Sequence, residues 1–246
     1  MSTRKNINFE SFIPVDKFSY LEKSNKKILN FFIKKTKKNI EEKKNVFHSF
    51  SKNFKLDFNF ADLKRFKKFK RIITIGMGGS ILGTQAINYF LKKKSNKELI
   101  FINNLDLDQI NNLNKFKDLK NSLFLIISKS GATIEVFSII NSLKNKANFN
   151  MKNSIVITEN KKNPLNTFAK KLKIKTIFHR SYIGGRYSIF SETALIPSYL
   201  MGINISKLKK NILNFLVQKK TSLIKNLTSM SKIYNSKKIN SLVLLN

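Results

Sequence analysis

"RIITIGMGGSILG", residues 71–83, runs a closely packed apolar stretch into a cluster that holds four of the chain's eight glycines. The apolar residues are too continuous for a strand with one wet face, so residues 71–77 read as a buried strand. The helical pattern of "SILGTQAINYFLKKK" (80–94) begins directly behind the glycines. Such a turn either lets a ligand approach its main chain closely or relieves a strained connection.

Working outward, the same alternation repeats. "ELIFIN" (98–103), "SLFLIIS" (122–128), "NSIVITE" (153–159) and "KIKTIF" (173–178) read as further strands. Between them, residues 107–116, 132–145 and a stretch opening at Pro164 read as helices; proline is comfortable in a first helical turn, where its missing N–H is not needed. Upstream, residues 16–45 suggest one or two amphipathic helices, and residues 186–235 look helical again. The pattern predicts an α/β fold, a doubly wound parallel sheet with helices on both faces and its ligand crevice at the carboxyl ends of the strands. The expected organisation is an N-terminal helical segment over 1–48 and the α/β domain over 49–205. Residues 206–246 would hold a helix and, at "INSLVLLN" (239–246), the first strand of a truncated second α/β domain.

Composition narrows the chemistry. The chain has no cysteine, which excludes disulfides, thiolate metal sites and a cysteine nucleophile. "MSTRKNINFESF" (1–12) lacks the apolar core of a signal peptide, and no apolar run is long enough for a bilayer, so the expected setting is cytoplasmic. The net charge of +34 raises the question of nucleic acid. Yet only five of the 48 basic residues are arginine, and the lysines are spread over the whole length among many Asn, Ile and Phe. A nucleic-acid face concentrates arginine for bidentate contacts, so the charge reads as compositional and as a field that could speed the arrival of small anions.

The glycine turn fits neither common nucleotide motif: Ile81 stands where G-x-G-x-x-G needs its last glycine, and no G-x-x-x-x-G-K-[ST] occurs. What remains is a helix N-terminus with exposed N–H groups and the Ser80 hydroxyl, an arrangement suited to an anion. "ISKSGAT" (127–133) stands in the corresponding place after the third strand and offers Ser128, Lys129, Ser130 and Thr133 around Gly131. Any one of these hydroxyls alone reads equally well as a helix cap. "IGGRYS" (183–188) then presents Arg186 behind two glycines, as a cation for an anion or oxyanion, or as an exposed loop arginine.

Taken in order, G-x-G-G-S-x-x-G, S-K-S-G-A-T-x-E and G-G-R-Y-S resemble the phosphoglucose isomerase family, the first two being shared with sugar isomerase (SIS) domains generally. The resemblance covers about residues 50–246 and only the family's first half. It implies a domain that binds a hexose 6-phosphate, needs no cofactor or metal, and works as a homodimer in the full-length family member. Carried over, Ser128, Lys129, Ser130 and Thr133 match the phosphate-binding loop. Gly79 and Ser80 match the turn lining the sugar site, and Arg186 matches the arginine that stabilises the enediolate. Glu135 matches a position in the helix behind the phosphate loop and is read as structural, in keeping with the helix dipole.

The departures bear on activity. The family's E-S-x-G-K segment with the catalytic base, its N-G-Q-H segment with the ring-opening histidine and its C-terminal lysine have no counterpart here. His48 and His179 match neither, and His179 reads as an ordinary loop histidine. Glu159 and Glu192 match no family base. The expectation is a chain that binds sugar phosphate with little or no turnover; the alternatives are a non-catalytic sugar-phosphate-binding module and, less favoured, a nucleic-acid-binding protein.

Overall fold

Five runs rich in isoleucine pair as parallel strands: β1 (Arg71–Gly76), β2 (Glu98–Ile102), β3 (Leu123–Ile127), β4 (Ser154–Glu159) and β5 (Lys175–His179). Their order is β2-β1-β3-β4-β5, with Ile73 opposite Ile100 on one side and Phe124 on the other. The computed structural model describes residues 19–91, 96–114, 116, 118–209 and, further on, 224, 225, 227, 228 and 230. The strand expected over 239–246 lies outside the described residues, as does most of the helical stretch expected after 209.

The helices are α1 (Ser19–Glu41), α2 (Phe60–Leu63), α3 (Gly79–Leu91), α4 (Leu107–Asn114), α5 (Ile134–Ala147), α6 (Pro164–Lys171), α7 (Glu192–Leu200) and α8 (Ile205–Lys209). Parallel strands need crossovers, and here these cover both faces of the sheet. On one face, α4, α5 and α6 bury Ile110, Val136, Ile139, Leu143 and Leu165 against Ile73, Ile75, Phe124, Ile126 and Val156. On the other, α2, α3 and α7 bury Leu63, Ile87, Ala194, Ile196 and Leu200 against Ile72, Leu125, Ile127, Ile155 and Ile177. Odd and even strand positions thus feed separate cores, which is why these strands read as continuously apolar.

By contacts the chain divides into two compact units, Ile40–Lys210 around the sheet, and Met1–Asn39 with Asn211–Asn246. Within the second unit, Asn25 of α1 donates to Thr228 at 3.3 Å. Two local signals fix helix ends in the sheet unit. Asn163 caps α6 by accepting from the Asn166 N–H at 2.8 Å, with Pro164 just inside the helix. Asn148 closes α5 in the left-handed conformation at φ 47°.

The stretch from 186, read as helix, divides. Gly185–Phe190 forms a 3-10 turn, and Ser191 breaks it before α7 begins. Pro197 inside α7 has no N–H to give the Thr193 carbonyl, and the Thr84 hydroxyl of α3 donates to that carbonyl instead at 3.0 Å. A proline that usually ends a helix here stitches two helices together.

Candidate functional site

β1 and β3 are sheet neighbours, but α3 leaves β1 toward one face and α5 leaves β3 toward the other. Their carboxyl ends therefore border the crevice where ligands bind in open α/β sheets. The two motif turns occupy this point: Gly76–Ser80 follows β1, and Ser128–Thr133 follows β3.

The four glycines of the first turn have different jobs. A Cβ at Gly76 would lie 2.9 Å from the Ile127 carbonyl oxygen, and one at Gly83 would lie 3.0 Å from the Ile189 Cα. At Gly79 it would lie 2.6 Å from the Gly185 carbonyl carbon and closer still to the Arg186 amide. Gly78 differs, with φ 50° and nothing within 4 Å of its Cβ position. Three of the four glycines therefore admit neighbouring chain, and only Gly78 faces open space, whereas the sequence suggested a turn held open for a ligand as a whole. Ser80, in the first turn of α3, gives its N–H to the Met77 carbonyl at 3.2 Å.

In the second loop the hydroxyls converge. Ser128 Oγ lies 2.8 Å from Thr133 Oγ1 and 3.5 Å from Ser130 Oγ, and Ser130 Oγ lies 3.4 Å from Thr133 Oγ1. Ser128 Oγ also accepts the Gly131 N–H at 3.1 Å, and Ser130 Oγ accepts that of Ala132 at 3.3 Å. Thr133 occupies the N-cap position of α5 but makes no side-chain capping bond, so capping does not account for its hydroxyl. Three hydroxyls clustered at the N-terminus of a 14-residue helix make a cradle for a tetrahedral oxyanion. Gly131, at φ 68°, is doubly required, because a Cβ there would run into the Asn163 carboxamide.

Lys129 turns its amine sideways, donating to the Ser181 carbonyl at 2.7 Å and pairing with Glu159 at 3.4 Å. Glu159 also pairs with Lys161 at 2.7 Å. Burial acts to raise the Glu159 pKa, but the hydrogen bonds and charges of Lys161 and Lys129 outweigh it and hold the carboxyl below its ordinary value. An ionised, doubly paired carboxylate makes a poor proton acceptor, against a role for Glu159 as base.

The third motif joins the first through its backbone. Gly185 backs onto Gly79, and a Cβ on it would lie 3.1 Å from the Gly79 carbonyl carbon. Ser188, buried, donates to the Gly185 carbonyl at 2.6 Å and accepts from Thr193 Oγ1 at 2.7 Å. Arg186 is exposed and has no hydrogen bond or ion pair among the described residues, so its charge is available at the turn that packs on α3.

Residues 5–214 match the family profile described as phosphoglucose isomerase. The chain belongs to the phosphoglucose isomerase family. It is 37% identical over 145 residues to the glucose-6-phosphate isomerase of Campylobacter jejuni subsp. jejuni, covering 56% of this chain and 36% of that protein. With the glucose-6-phosphate isomerase of Methanocaldococcus jannaschii it shares 34% over 155 residues, 62% of this chain and 38% of that one. The chain thus spans less than two fifths of the length of these relatives. A solved structure of a hypothetical protein from Thermus thermophilus shares the fold, with TM-score 0.67 and 19% identity over 85% of this chain and 51% of that chain.

Within this family member, several residues gain roles that sequence reasoning did not assign. Asn163 supports the hydroxyl loop: it blocks the Cβ position of Gly131, caps α6, and donates to Thr158 Oγ1 at 3.3 Å and the Lys161 carbonyl at 3.2 Å. The Asn-Pro pair at 163–164 marked a helix start, but not what stands across from it. His179 ends β5 and is buried, rather than lying in a loop, because its ring bonds the Ile183 carbonyl and faces Glu192. Glu192 is fully buried, and its Oε1 accepts the Asp57 N–H at 3.1 Å. His48 is also buried, with Nδ1 2.8 Å from the Ile40 carbonyl, which marks a structural role. Among the described residues no helix is long and apolar enough to cross a membrane.

Proposed function

We propose that this chain binds a hexose 6-phosphate and serves the interconversion of glucose 6-phosphate and fructose 6-phosphate through an enediol. The observation that carries the reading is the convergence of Ser128, Ser130 and Thr133 at the β1/β3 switch point, with Thr133 free of capping duty. In this reading the hydroxyls and the α5 N-terminus hold the phosphate, Lys129 joins them by exchanging the Ser181 carbonyl and Glu159 for the anion, and Gly79, through its main chain, and Ser80 line the sugar. Arg186 supplies the cation next to the oxyanion that develops when a proton leaves the carbon beside the carbonyl. Phosphate binding remote from the reacting carbons orients the substrate.

Proton transfer between neighbouring carbons calls for a carboxylate base and a donor for ring opening, not for a redox cofactor. Among the described residues, Glu159 is ion-paired and Glu192 is buried, and neither is assigned to those roles. The chain by itself is accordingly expected to bind substrate with little or no turnover. A cytoplasmic, homodimeric isomerase is the setting this reading implies.

The test is calorimetric titration of the chain with glucose 6-phosphate, glucose and inorganic phosphate. Saturable binding of the phosphate ester is expected, together with a loss of about tenfold or more in Thr133→Ala, since hydrogen bonds to a charged group contribute roughly 1.5–3 kcal/mol each. No binding at millimolar ester, or equal affinity for glucose, rules the reading out.

A further inference from the structure

His179 and Glu192 form a second constellation that no step of the proposed isomerisation uses. Both side chains are fully buried, with His179 Nδ1 3.4 Å from Glu192 Oε2. The other ring nitrogen, Nε2, lies 3.0 Å from the Ile183 carbonyl oxygen. A carbonyl only accepts, so Nε2 carries a hydrogen. A neutral ring would then present a bare lone pair on Nδ1 to a carboxylate oxygen. Neither atom has a hydrogen-bond partner among the described residues, and 3.4 Å is the separation of an ion pair. Two acceptors facing each other in a dry interior are costly, and one proton between them removes the conflict.

The positions of the partners give the pair a purpose. Ile183 immediately precedes Gly184-Gly185-Arg186, and Glu192 opens α7 just after the turn ends at Phe190. The imidazole therefore ties the residue entering the Arg186 turn to the residue that leaves it. Glu192 is anchored in its turn by the Asp57 N–H, and Asp57 accepts the Phe178 N–H of β5 at 2.7 Å. Among the described residues, Asp57, Tyr182 and Lys209 are ionisable neighbours of Glu192, Tyr182 and Lys209 both interact with its charge, and Arg180 interacts with Tyr182.

We propose that His179 and Glu192 are a proton-bound clamp across the base of the 184–190 turn and act as positioning residues for Arg186. The proposal rests on the sugar-phosphate reading only for what Arg186 does; the clamp itself is a property of the fold.

Two measurements on the full chain test it. The first is binding of a 6-phosphoaldonate, whose carboxylate stands where the enediolate would develop. The second is backbone hydrogen exchange over residues 184–190. Glu192→Gln keeps a donor toward Nδ1, so it is expected to hold affinity within about twofold and to preserve exchange protection. His179→Ala is expected to weaken the aldonate about tenfold, to speed exchange in the turn, and to add no further loss in the Arg186→Ala background. Where His179→Ala does not fold, Glu192→Leu, which has no donor, takes its place with the same expectations. Equal losses with and without Arg186, or unchanged exchange in the turn, overturn the clamp. A Glu192→Gln loss as large as that of His179→Ala overturns the shared proton. If Arg186→Ala leaves aldonate affinity unchanged, the sugar-phosphate reading fails at Arg186, and the exchange data alone decide the clamp.

Discussion

A methyl group at residue 79 would lie 2.6 Å from the Gly185 carbonyl carbon, and main-chain atoms cannot swing aside as the tip of a side chain can. Gly79→Ala is therefore expected to cost about 1–3 kcal/mol, the range for overpacking, and to displace the turn that carries Arg186. Urea unfolding together with glucose 6-phosphate titration checks both effects; a wild-type midpoint with wild-type affinity would refute the contact. Thr74 presents the opposite case. Its hydroxyl is buried in β1 with no partner among the described residues, so Thr74→Val should stabilise the chain by about 1 kcal/mol. A lower urea midpoint would mean that the hydroxyl is satisfied after all. Glu159 ties stability to pH. Its carboxyl titrates below the ordinary value when folded, so its contribution is complete above the unfolded pKa of about 4.3 and disappears as pH falls through the lowered folded value. Wild type should exceed Glu159→Gln in stability at pH 7, and the two should converge in acid. A gap that stays constant with pH would show that the ion pairs do not matter.

At the scale of elements, the hydroxyl loop depends on its neighbour. Asn163 sits at the start of α6, yet its carboxamide occupies the space beside Gly131, and the Leu165 N–H donates to the Gly131 carbonyl at 2.9 Å. Losing such a cap typically costs about 1 kcal/mol. Asn163→Ala is expected to cost that much and also to speed hydrogen exchange in residues 128–133. Exchange changes confined to α6 would show the loop to be independent. The elements themselves were legible, because the strand runs and helical patterns are local: Pro164 marked α6, and the predicted strands over 71–77 and 122–128 became β1 and β3 with ends shifted by one residue. The 3-10 turn at 185–190 was missed because its residues carry a helical pattern, while the bonds that interrupt it run from Ser188 to Gly185 and from Thr193 to Ser188.

For the whole molecule, a net charge of +34 over 246 residues implies self-repulsion in the folded state. Raising salt from about 10 mM to about 150 mM shortens the screening length from roughly 30 Å to roughly 8 Å. The urea midpoint should rise over this range, while the association rate with glucose 6-phosphate should fall, since the same field attracts the anion. A midpoint that falls with salt would mean that favourable ion pairs, such as Arg71–Glu98 and Lys175–Asp62, outweigh the repulsion.

Read alone, the sequence determined the α/β class, the parallel strands and the three motif turns, because periodicity and turn chemistry act over a few residues at a time. Tertiary structure decided everything that depends on which distant groups meet. It set β1 beside β3, so that two turns about 50 residues apart border one crevice. It pressed Gly79 against Gly185, turning glycines that read as room for a ligand into room for the chain itself. It drew Lys129 onto Glu159 and closed His179 on Glu192, pairings that no spacing announces. Those choices follow from register and packing, where the free energy of burying a polar group depends on the partner that arrives from elsewhere in the fold.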